Sequence, residues 1–217
     1  MRIQYFVGPV RQRQTGGEIF HAELMRFLAR ENEVIDEVGV FEANRGNILS
    51  ANRWCWQRMR QCRAEVIIQD SYYAACLFIG NWLVKWWRPR IVVFIQAVPE
   101  DYSCWSCGQH IRNWLIMTLF LRSANLVIVN SHYTHRQVIL RYSVSARKVI
   151  VLSPAGQKFQ VEGSHSMRND SEVKRLLSVG NIQPKKGQKC IVEAMHLLSQ
   201  PNCYLSLVGG VKDSVYY

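Results

Sequence analysis

Two adjacent lysines in a turn bounded by glycines have the residue types and the spacing that suit binding of a phosphate group. Residues 176–198 predict a strand, a polar turn from Gly180 to Lys186, and a helix that begins near Gly187. The amino end of a helix, with its free N–H groups and positive dipole, attracts anions. The ammonium groups of Lys185 and Lys186 could neutralise a diphosphate leaving group. A solvated basic turn before an ordinary helix explains the same composition equally well.

Paired glycines, Gly16 and Gly17, stand between the first predicted strand and the first predicted helix. A residue without a Cβ atom lets a ligand approach the main chain closely, although a flexible helix entry explains the pair too. The spaced glycines of the dinucleotide-binding fingerprint are missing, so a generic dinucleotide-binding domain is disfavoured. His21 lies one turn further along, where a ligand contact and a packed core histidine are equally compatible with the sequence.

Polar residues follow three of the predicted strands, namely Asp70, Gln96, Glu100, Asp101 and Ser131. The family resemblance described below is what makes them candidates for contact with a substrate. The Gln96 amide can hydrogen-bond a hydroxyl group but cannot serve as a general base near neutral pH. Simple solvation is the alternative for the loop acids, and capping of the next helix is the alternative for Ser131.

The cysteines give little support for a metal site. Cys104 and Cys107, with His110 three residues on, resemble half of a zinc site, but no second ligand pair has suitable spacing. No metal is therefore predicted. The seven cysteines are an odd number scattered among apolar segments, which indicates reduced, buried thiols and a cytoplasmic location.

The elements that must position these residues alternate between short β-branched runs and longer amphipathic segments. This alternation predicts an α/β fold with a parallel sheet wrapped by helices. The predicted strands are residues 3–7, 34–40, 65–69, 91–95, 126–130 and 149–152, and the predicted helices between them are 17–30, 51–62, 72–87, 111–122 and 133–141.

A polar stretch without periodicity, residues 157–172, predicts an inter-domain linker after a first domain that spans residues 1–156. The alternation then restarts with a strand at 175–179, a helix at 187–198 and a strand at 204–208. Two strands and one helix do not enclose a Rossmann-like domain, so residues 173–217 are expected to be the start of a second one that is either incomplete or completed by another chain.

These motifs together resemble the family 4 retaining glycosyltransferases of the GT-B fold, over nearly the whole chain. Lys186 matches the lysine that binds the donor diphosphate in that family, and Asn181 stands where an arginine is usual. The Gly16–Gly17 pair matches a glycine loop that contacts the donor phosphate or the acceptor. Gln96 occupies the place of a histidine that lies near the acceptor, and Ser131 belongs to a turn at the cleft.

The resemblance implies transfer of a sugar from a nucleotide sugar, UDP- or GDP-linked, to a glycan, a lipid-linked or a small-molecule acceptor. It also implies retention of configuration and no cofactor or required metal. Family members carry a pair of glutamates and the nucleotide-base contacts further into the second domain than this sequence reaches. The alternatives are therefore an active transferase, a truncated and inactive one, and a non-catalytic binding module that has lost its donor half.

The net charge of +11 predicts attraction to anionic partners, but the basic residues are spread along the chain. No nucleic-acid-binding motif is present, so nucleic acid is not a predicted partner. Residues 81–90 interleave indole rings with cations, which suits peripheral contact with an anionic membrane surface as well as packing in the core. These residues are Trp82, Trp86 and Trp87 with Lys85, Arg88 and Arg90.

Overall fold

The computed structural model describes residues 1–7, 16–31, 34–40, 47–85, 89–96, 98, 106–153, 173–182, 184–198 and 202–211. The chain divides into two compact units, Met1–Gln157 and Lys158–Tyr217. Each unit is an α/β structure with parallel strands. The parallel α/β architecture expected from the alternating pattern is thus confirmed.

The first unit alternates strands and helices from its first residue to its last strand. Its elements are β1 (Arg2–Val7), α1 (Gly16–Glu31), β2 (Val34–Gly39), α2 (Ile48–Cys62), β3 (Val66–Asp70), α3 (Ala74–Val84), β4 (Arg90–Ile95), α4 (Cys107–Ser123), β5 (Leu126–Val129), α5 (His132–Tyr142) and β6 (Val149–Val151). Short 3₁₀ turns occupy Ser71–Tyr73 and Ala146–Lys148.

Six parallel strands form the sheet of this unit in the order β2-β1-β3-β4-β5-β6. Because every strand runs the same way, the carboxyl ends of all six meet at one edge. The register is regular, with Ile68 of β3 opposite Tyr5 of β1 and Val92 of β4. Asp70 at the end of β3, Gln96 after β4 and Ser131 after β5 consequently lie along a single edge of the sheet.

Helices cover both faces of this sheet, as parallel strands require. Helix α1 covers one face with Phe20, Leu24 and Leu28, which pack on buried side chains of β1, β3 and β4. Helices α2 to α5 contribute to the larger core on the other face, where the fully buried residues include Phe6, Cys55, Leu77, Val93, Phe120 and Val138.

A buried hydrogen-bond network joins β3 to helices α3 and α4. Gln69 and Asn81 exchange two side-chain amide hydrogen bonds of 2.7 and 2.8 Å. Asn81 Nδ2 also donates to Ser123 Oγ at 3.0 Å, and Ser123 Oγ donates to the Phe120 carbonyl. Since buried amides are costly when unpaired, this network fixes the positions of α3 and α4 relative to the sheet.

Three helix starts differ from the prediction for local reasons. Helix α2 begins at Ile48, three residues before the predicted 51, because the Asn47 side chain accepts a hydrogen bond from the Ser50 amide and caps the helix there. Helix α4 begins at Cys107, four residues before the predicted 111, because Ser106 and Gln109 form a reciprocal capping box. Helix α3 begins at Ala74 instead of residue 72, because the Asp70 side chain accepts a hydrogen bond from the Tyr72 amide and holds a 3₁₀ turn there.

The second unit contains β7 (Lys174–Val179), a 3₁₀ turn (Pro184–Lys186), α6 (Gln188–Leu198) and β8 (Cys203–Val208). Strands β7 and β8 are parallel neighbours in full register. Apolar side chains on both strands and on α6 are exposed, among them Leu176, Leu177, Val179, Val192, Leu197, Tyr204 and Val208. The described part of this unit therefore leaves much of its apolar surface uncovered.

In the part of the chain that the structure describes, no helix combines the length and the apolar character needed to span a bilayer.

Candidate functional site

The strand order of the first unit reverses at β1, because β2 lies on one side of it and β3 on the other. In open α/β sheets, such a reversal opens a crevice at the carboxyl ends of the strands, and ligands bind there. Helix α1, which follows β1, and Asp70, the last residue of β3, both lie at this point. Gly16 and Gly17 form the first residues of α1 and so belong to the same edge of the sheet.

His21 and Asp70 are brought together at this point, although 49 positions separate them in the sequence. His21 Nε2 lies 2.9 Å from Asp70 Oδ2, and the other imidazole nitrogen is hydrogen-bonded to the Tyr5 hydroxyl. A proton on Nε2 would face the Asp70 carboxylate, and in that tautomer Nδ1 accepts from the Tyr5 hydroxyl. Asp70 Oδ1 accepts from the Tyr72 amide at 2.9 Å.

The His21 ring is buried against Phe20 and Phe94 as well as Tyr5. Both ring nitrogens therefore face protein groups, and the ring ties α1 to β1 and β3. This tie holds the start of α1, with its glycine pair, at the carboxyl edge of the sheet. The contact with an acceptor that the sequence suggests for His21 and Asp70 stays a prediction.

A pocket of about 290 Å³ lies beyond the carboxyl ends of β4 and β5. It brings together Gln96 and Ser131, two of the residues singled out from the sequence. The other lining residues are Val98, Asn130, Tyr133, Thr134, Gln137 and Arg141. Gln137 and Arg141, which also line the pocket, were not singled out from the sequence. Tyr133, Gln137 and Arg141 follow one another at intervals of four along α5, and this spacing on one side of a helix is the pattern that could have indicated them.

Hydrogen bonds hold the polar wall of this pocket in place. Asn130 Nδ2 donates to the Gln96 carbonyl at 2.7 Å, and Asn130 Oδ1 accepts from the Thr134 hydroxyl at 3.2 Å. Ser131 caps α5, since its Oγ accepts from the Thr134 amide at 3.1 Å. The pocket thus presents amides, hydroxyls and one guanidinium, which are groups that bind polyhydroxylated ligands through hydrogen bonds.

The turn between β7 and α6 carries the predicted diphosphate-binding residues of the second unit. The stem of Lys186 packs over Gly180, with Cε 3.9 Å from the place a Cβ of Gly180 would take. Asn181 is held by its neighbour on α6, because buried Gln188 donates from Nε2 to the Asn181 carbonyl at 3.0 Å. Lys186, Gly180 and Asn181 are therefore brought together at the amino end of α6.

Two glycines shape this turn. Gly187, which immediately precedes α6, has φ +69°, a backbone conformation that residues with a Cβ atom rarely adopt. A Cβ on Gly209, at the end of β8, would overlap the Gly180 carbonyl. The ends of β7 and β8 consequently approach each other closely, and the Gly180 amide donates to the Val208 carbonyl at 2.8 Å.

Several predicted residues cannot be placed. Glu100, Asp101 and Cys104 lie outside the described residues, and nothing is described of the Lys185 side chain, although its main chain lies in the 3₁₀ turn. Within the described ranges, no three His, Cys, Asp or Glu side chains converge as metal ligands would.

Two thiols with shifted pKa values lie in the core of the first unit, away from these sites. Burial raises the pKa of Cys55 to about 12, with a further contribution from Cys76. Burial also raises the pKa of Cys76. Both side chains are protonated at neutral pH and serve as packing groups between α2 and α3.

The comparisons with known proteins agree with this architecture. The family profile described as Glycosyltransferase Family 4 matches residues 13–155, which is more than half of the chain. Comparison with curated proteins finds no match to the sequence.

Among solved structures, the chain is similar to the lipopolysaccharide outer core galactosyltransferase WaaB in its apo form. The identity is 11% and the TM-score 0.62, over 96% of this chain and 68% of the other. A putative UDP-N-acetylglucosamine 2-epimerase from Listeria monocytogenes matches at 9% identity and TM-score 0.55, over 99% and 63% of the two chains. S. aureus MnaA, in a co-structure with UDP, matches at 11% identity and TM-score 0.54, over 99% and 64%.

The chain thus spans about two thirds of the length of these structures. At such low identities the likeness shows the fold, a GT-B-like α/β architecture, and the family rests on the profile match across the first unit. The chain belongs to Glycosyltransferase Family 4.

Proposed function

We propose that this chain takes part in transfer of a sugar from a nucleoside-diphosphate sugar, with retention of configuration, to an acceptor that carries hydroxyl groups. Family membership supports glycosyl transfer in general. The donor would be bound through its diphosphate by the second unit, and the acceptor by the carboxyl edge of the sheet in the first. UDP and GDP are the donor nucleotides to test, and UDP is bound by the structurally similar S. aureus MnaA.

The observation that carries the proposal is the position of Lys186 beside Gly180 at the amino end of α6. The lysine stem rests on the glycine, in the turn that leads into an 11-residue helix whose first amides have no partner within the helix. A cation together with helix N–H groups stabilises the charge that develops on a departing diphosphate. Asn181 adds a neutral amide in place of a second cation, and Lys185 supplies another positive charge in the same turn.

We assign Gly16 and Gly17 to contact with the donor phosphate or acceptor, and Gln96 and Ser131 to hydrogen bonding of the acceptor. Gln96 and Ser131 line the pocket at the ends of β4 and β5. Neither can act as a strong base, so this assignment attributes catalysis to electrostatic stabilisation of the leaving group. Asp70 and His21 then act by holding the start of α1, and Glu100 and Asp101 stay candidates for acceptor contact.

Calorimetric titration with UDP and with GDP tests the donor half of the proposal. We expect binding, and we expect Lys186→Gln to weaken it about tenfold or more, because a hydrogen bond to a charged group contributes about 1.5–3 kcal/mol. The matched control is Lys189→Gln, which removes the same charge three residues away, where Lys189 pairs with Glu193 at 3.9 Å on α6. The control should change affinity less than about twofold.

Absence of heat with both nucleotides, or equal losses in the two variants, would refute a diphosphate site at Lys186. Incubation with a panel of UDP- and GDP-sugars then separates a transferase from a non-catalytic binding module. Hydrolysis or transfer indicates an enzyme, and the anomeric proton coupling of the product reports retention. Nucleotide binding without turnover across the panel would favour the binding module.

A further inference from the structure

Helix α4 has an apolar surface on the side that faces away from the core. Met117, Phe120 and Leu121 are buried against the sheet and its neighbouring helices. Ile111 and Trp114, together with Leu115, follow the three-and-four spacing of another stripe, and they are 61%, 51% and 49% exposed. A solvent-facing helix side normally carries polar residues, so this stripe requires an explanation.

Helix α3 extends the same surface. Its exposed apolar residues, Trp82 and Leu83, belong to a helix that packs along α4. The Trp82 indole N–H donates to the Leu119 carbonyl of α4 at 3.1 Å, which joins the two helices at their outer side. We call Trp82, Leu83, Ile111, Trp114 and Leu115 the α3–α4 face.

The two indole rings of this face are held in fixed positions with their polar atoms already paired. Trp114 Nε1 donates to the Arg141 carbonyl of α5 at 2.9 Å, as Trp82 Nε1 does to Leu119. Each exposed ring surface is therefore apolar, and covering it leaves no indole N–H without a partner. An apolar surface of this kind gains free energy when it leaves water.

The charge around the face is strongly positive. Among the described residues of the first unit from Ser71 to Ser153, none is acidic and eight are basic: Lys85, Arg90, Arg112, Arg122, Arg136, Arg141, Arg147 and Lys148. Arg112 and Arg122 are exposed on α4 itself, and Lys85 Nζ lies 5.1 Å from the centre of the Trp82 ring.

The other side of the sheet has no such excess of positive charge. Helix α1 carries three glutamates against two arginines, Arg26 and Arg30, and the exposed Arg26 is paired with Glu23 at 2.5 Å. The positive field is thus concentrated on the side of the sheet that bears the α3–α4 face. A partner that binds the α3–α4 face must therefore be apolar where it contacts the tryptophan rings and negatively charged where it meets the surrounding cations.

We propose that the α3–α4 face docks on an anionic lipid bilayer. Tryptophan rings lie well at the level of the headgroups, Ile111 and Leu115 can enter the acyl boundary, and the surrounding cations interact with lipid phosphates. Nucleic acid fits less well, because aliphatic side chains such as Ile111 and Leu115 offer no ring on which a base can stack. This inference is independent of the diphosphate site at Lys186.

Flotation with vesicles of equal parts phosphatidylglycerol and phosphatidylcholine, compared with pure phosphatidylcholine, tests the proposal on the whole chain. We expect binding to the anionic vesicles, weakened by salt, and little binding to the neutral ones. Ile111→Ser combined with Leu115→Ser should lower the partition coefficient about tenfold or more. These side chains are exposed, and circular dichroism melts verify that the variants fold.

Matched controls come from α1. Phe27 is 61% exposed, the same fraction as Ile111, and Phe27→Ser should leave flotation unchanged while Ile111→Ser lowers it. Arg112→Gln with Arg122→Gln should weaken binding to anionic vesicles, whereas Arg26→Gln with Arg30→Gln should not. Equal binding to both vesicle types, no binding to either, or equal effects of the two sets of variants overturns the proposal. Preferential binding of an RNA oligonucleotide that displaces the vesicles overturns it too.

Discussion

Both units of this chain are built from parallel strands and helices, but the first buries the apolar side chains of its strands and the second leaves many of them exposed. In the first, the apolar residues of β4 are covered on both faces by helices, and Val93 on one face and Phe94 on the other are buried. In the second, β7 has the same parallel geometry and a comparable apolar content, yet Leu177 and Val179 are exposed. Strand formation and strand burial are thus separate properties, since the second requires neighbours that the strand itself does not provide.

Because of this difference, we expect the first unit to contribute most of the free energy of unfolding of the described structure. Parallel strands gain most of their free energy from burial, and the described part of the second unit buries little. Its turn at Lys186 is nevertheless well bonded, through Gln188 and the close approach of β7 and β8. Substitutions in the two units should therefore differ most where they remove apolar side chains.

The largest expected difference in the free energy of unfolding is between alanine variants of two helical leucines, one in each unit. Leu121 is 0% exposed and Leu197 is 82% exposed. Leu121→Ala should lower the free energy of unfolding by about 2–5 kcal/mol, because it leaves a cavity in a packed core. Leu197→Ala should change it by less than about 0.5 kcal/mol. Urea denaturation followed by circular dichroism measures both, and a large loss for Leu197→Ala would mean that something covers α6.

Two asparagines test the polar core. Asn81 is fully buried and hydrogen-bonded to Gln69 and Ser123. Asn81→Ala should cost about 2–3 kcal/mol, since it leaves the Gln69 amide without its partner. Asn202, in the exposed turn before β8, is the control, and Asn202→Ala should cost less than about 0.5 kcal/mol. Similar urea midpoints for the two variants would show that the network does not stabilise the first unit.

The buried thiols predict a loss of stability in alkali. The pKa of Cys55 is raised from 9.0 to about 12, so above pH 9 the unfolded chain releases a proton that the folded one retains. The free energy of unfolding should then fall by about 1.4 kcal/mol per pH unit between pH 9 and 12 from this group. Cys55→Ala should remove that part of the slope, measured by urea denaturation at each pH.

Cys190→Ala supplies the control for the thiol prediction, because Cys190 is exposed on α6. It should leave the alkaline slope as it is. If Cys55→Ala and the unchanged protein lose stability in parallel from pH 9 upward, other groups cause the loss.

The smallest expected effect concerns a helix cap. Ser106→Ala removes the capping box of α4 and should cost about 1 kcal/mol. Ser206→Ala, at an exposed position of β8, should be close to neutral. The denaturation midpoints of the two variants compare them directly, and no difference would indicate that packing alone fixes the start of α4.

The sequence was sufficient to predict the fold class because the strands are short, apolar runs and the helices have a regular stripe. It was less informative at boundaries, where side-chain bonds decide. The apolar run predicts that α4 starts at residue 111, whereas the spacing of Ser106 and Gln109 is typical of a capping box and indicates the earlier start. The 3₁₀ turn before α3 depends on one bond from the Tyr72 amide to Asp70, which periodicity does not reveal.

Sites were harder to predict than elements, because they combine distant residues. The sequence indicates Gln96 and Ser131 only singly, each by its place after a strand. Their common pocket, and the part that Gln137 and Arg141 take in it, depends on which side of α5 faces the end of β4. The contact of His21 with Asp70 likewise requires the pairing of β1 with β3, which no local pattern specifies.

The amide pair of Gln69 and Asn81 has a consequence for the geometry of any reaction at this edge. Because it connects β3 to α3, and Ser123 extends it to α4, the outer helices cannot tilt independently of the strand that ends in Asp70. A surface that holds those helices would also hold the crevice at a constant angle and height. Attachment of these helices to such a surface would then fix the orientation of the crevice relative to substrates at that surface, in addition to raising the local concentration of the protein there.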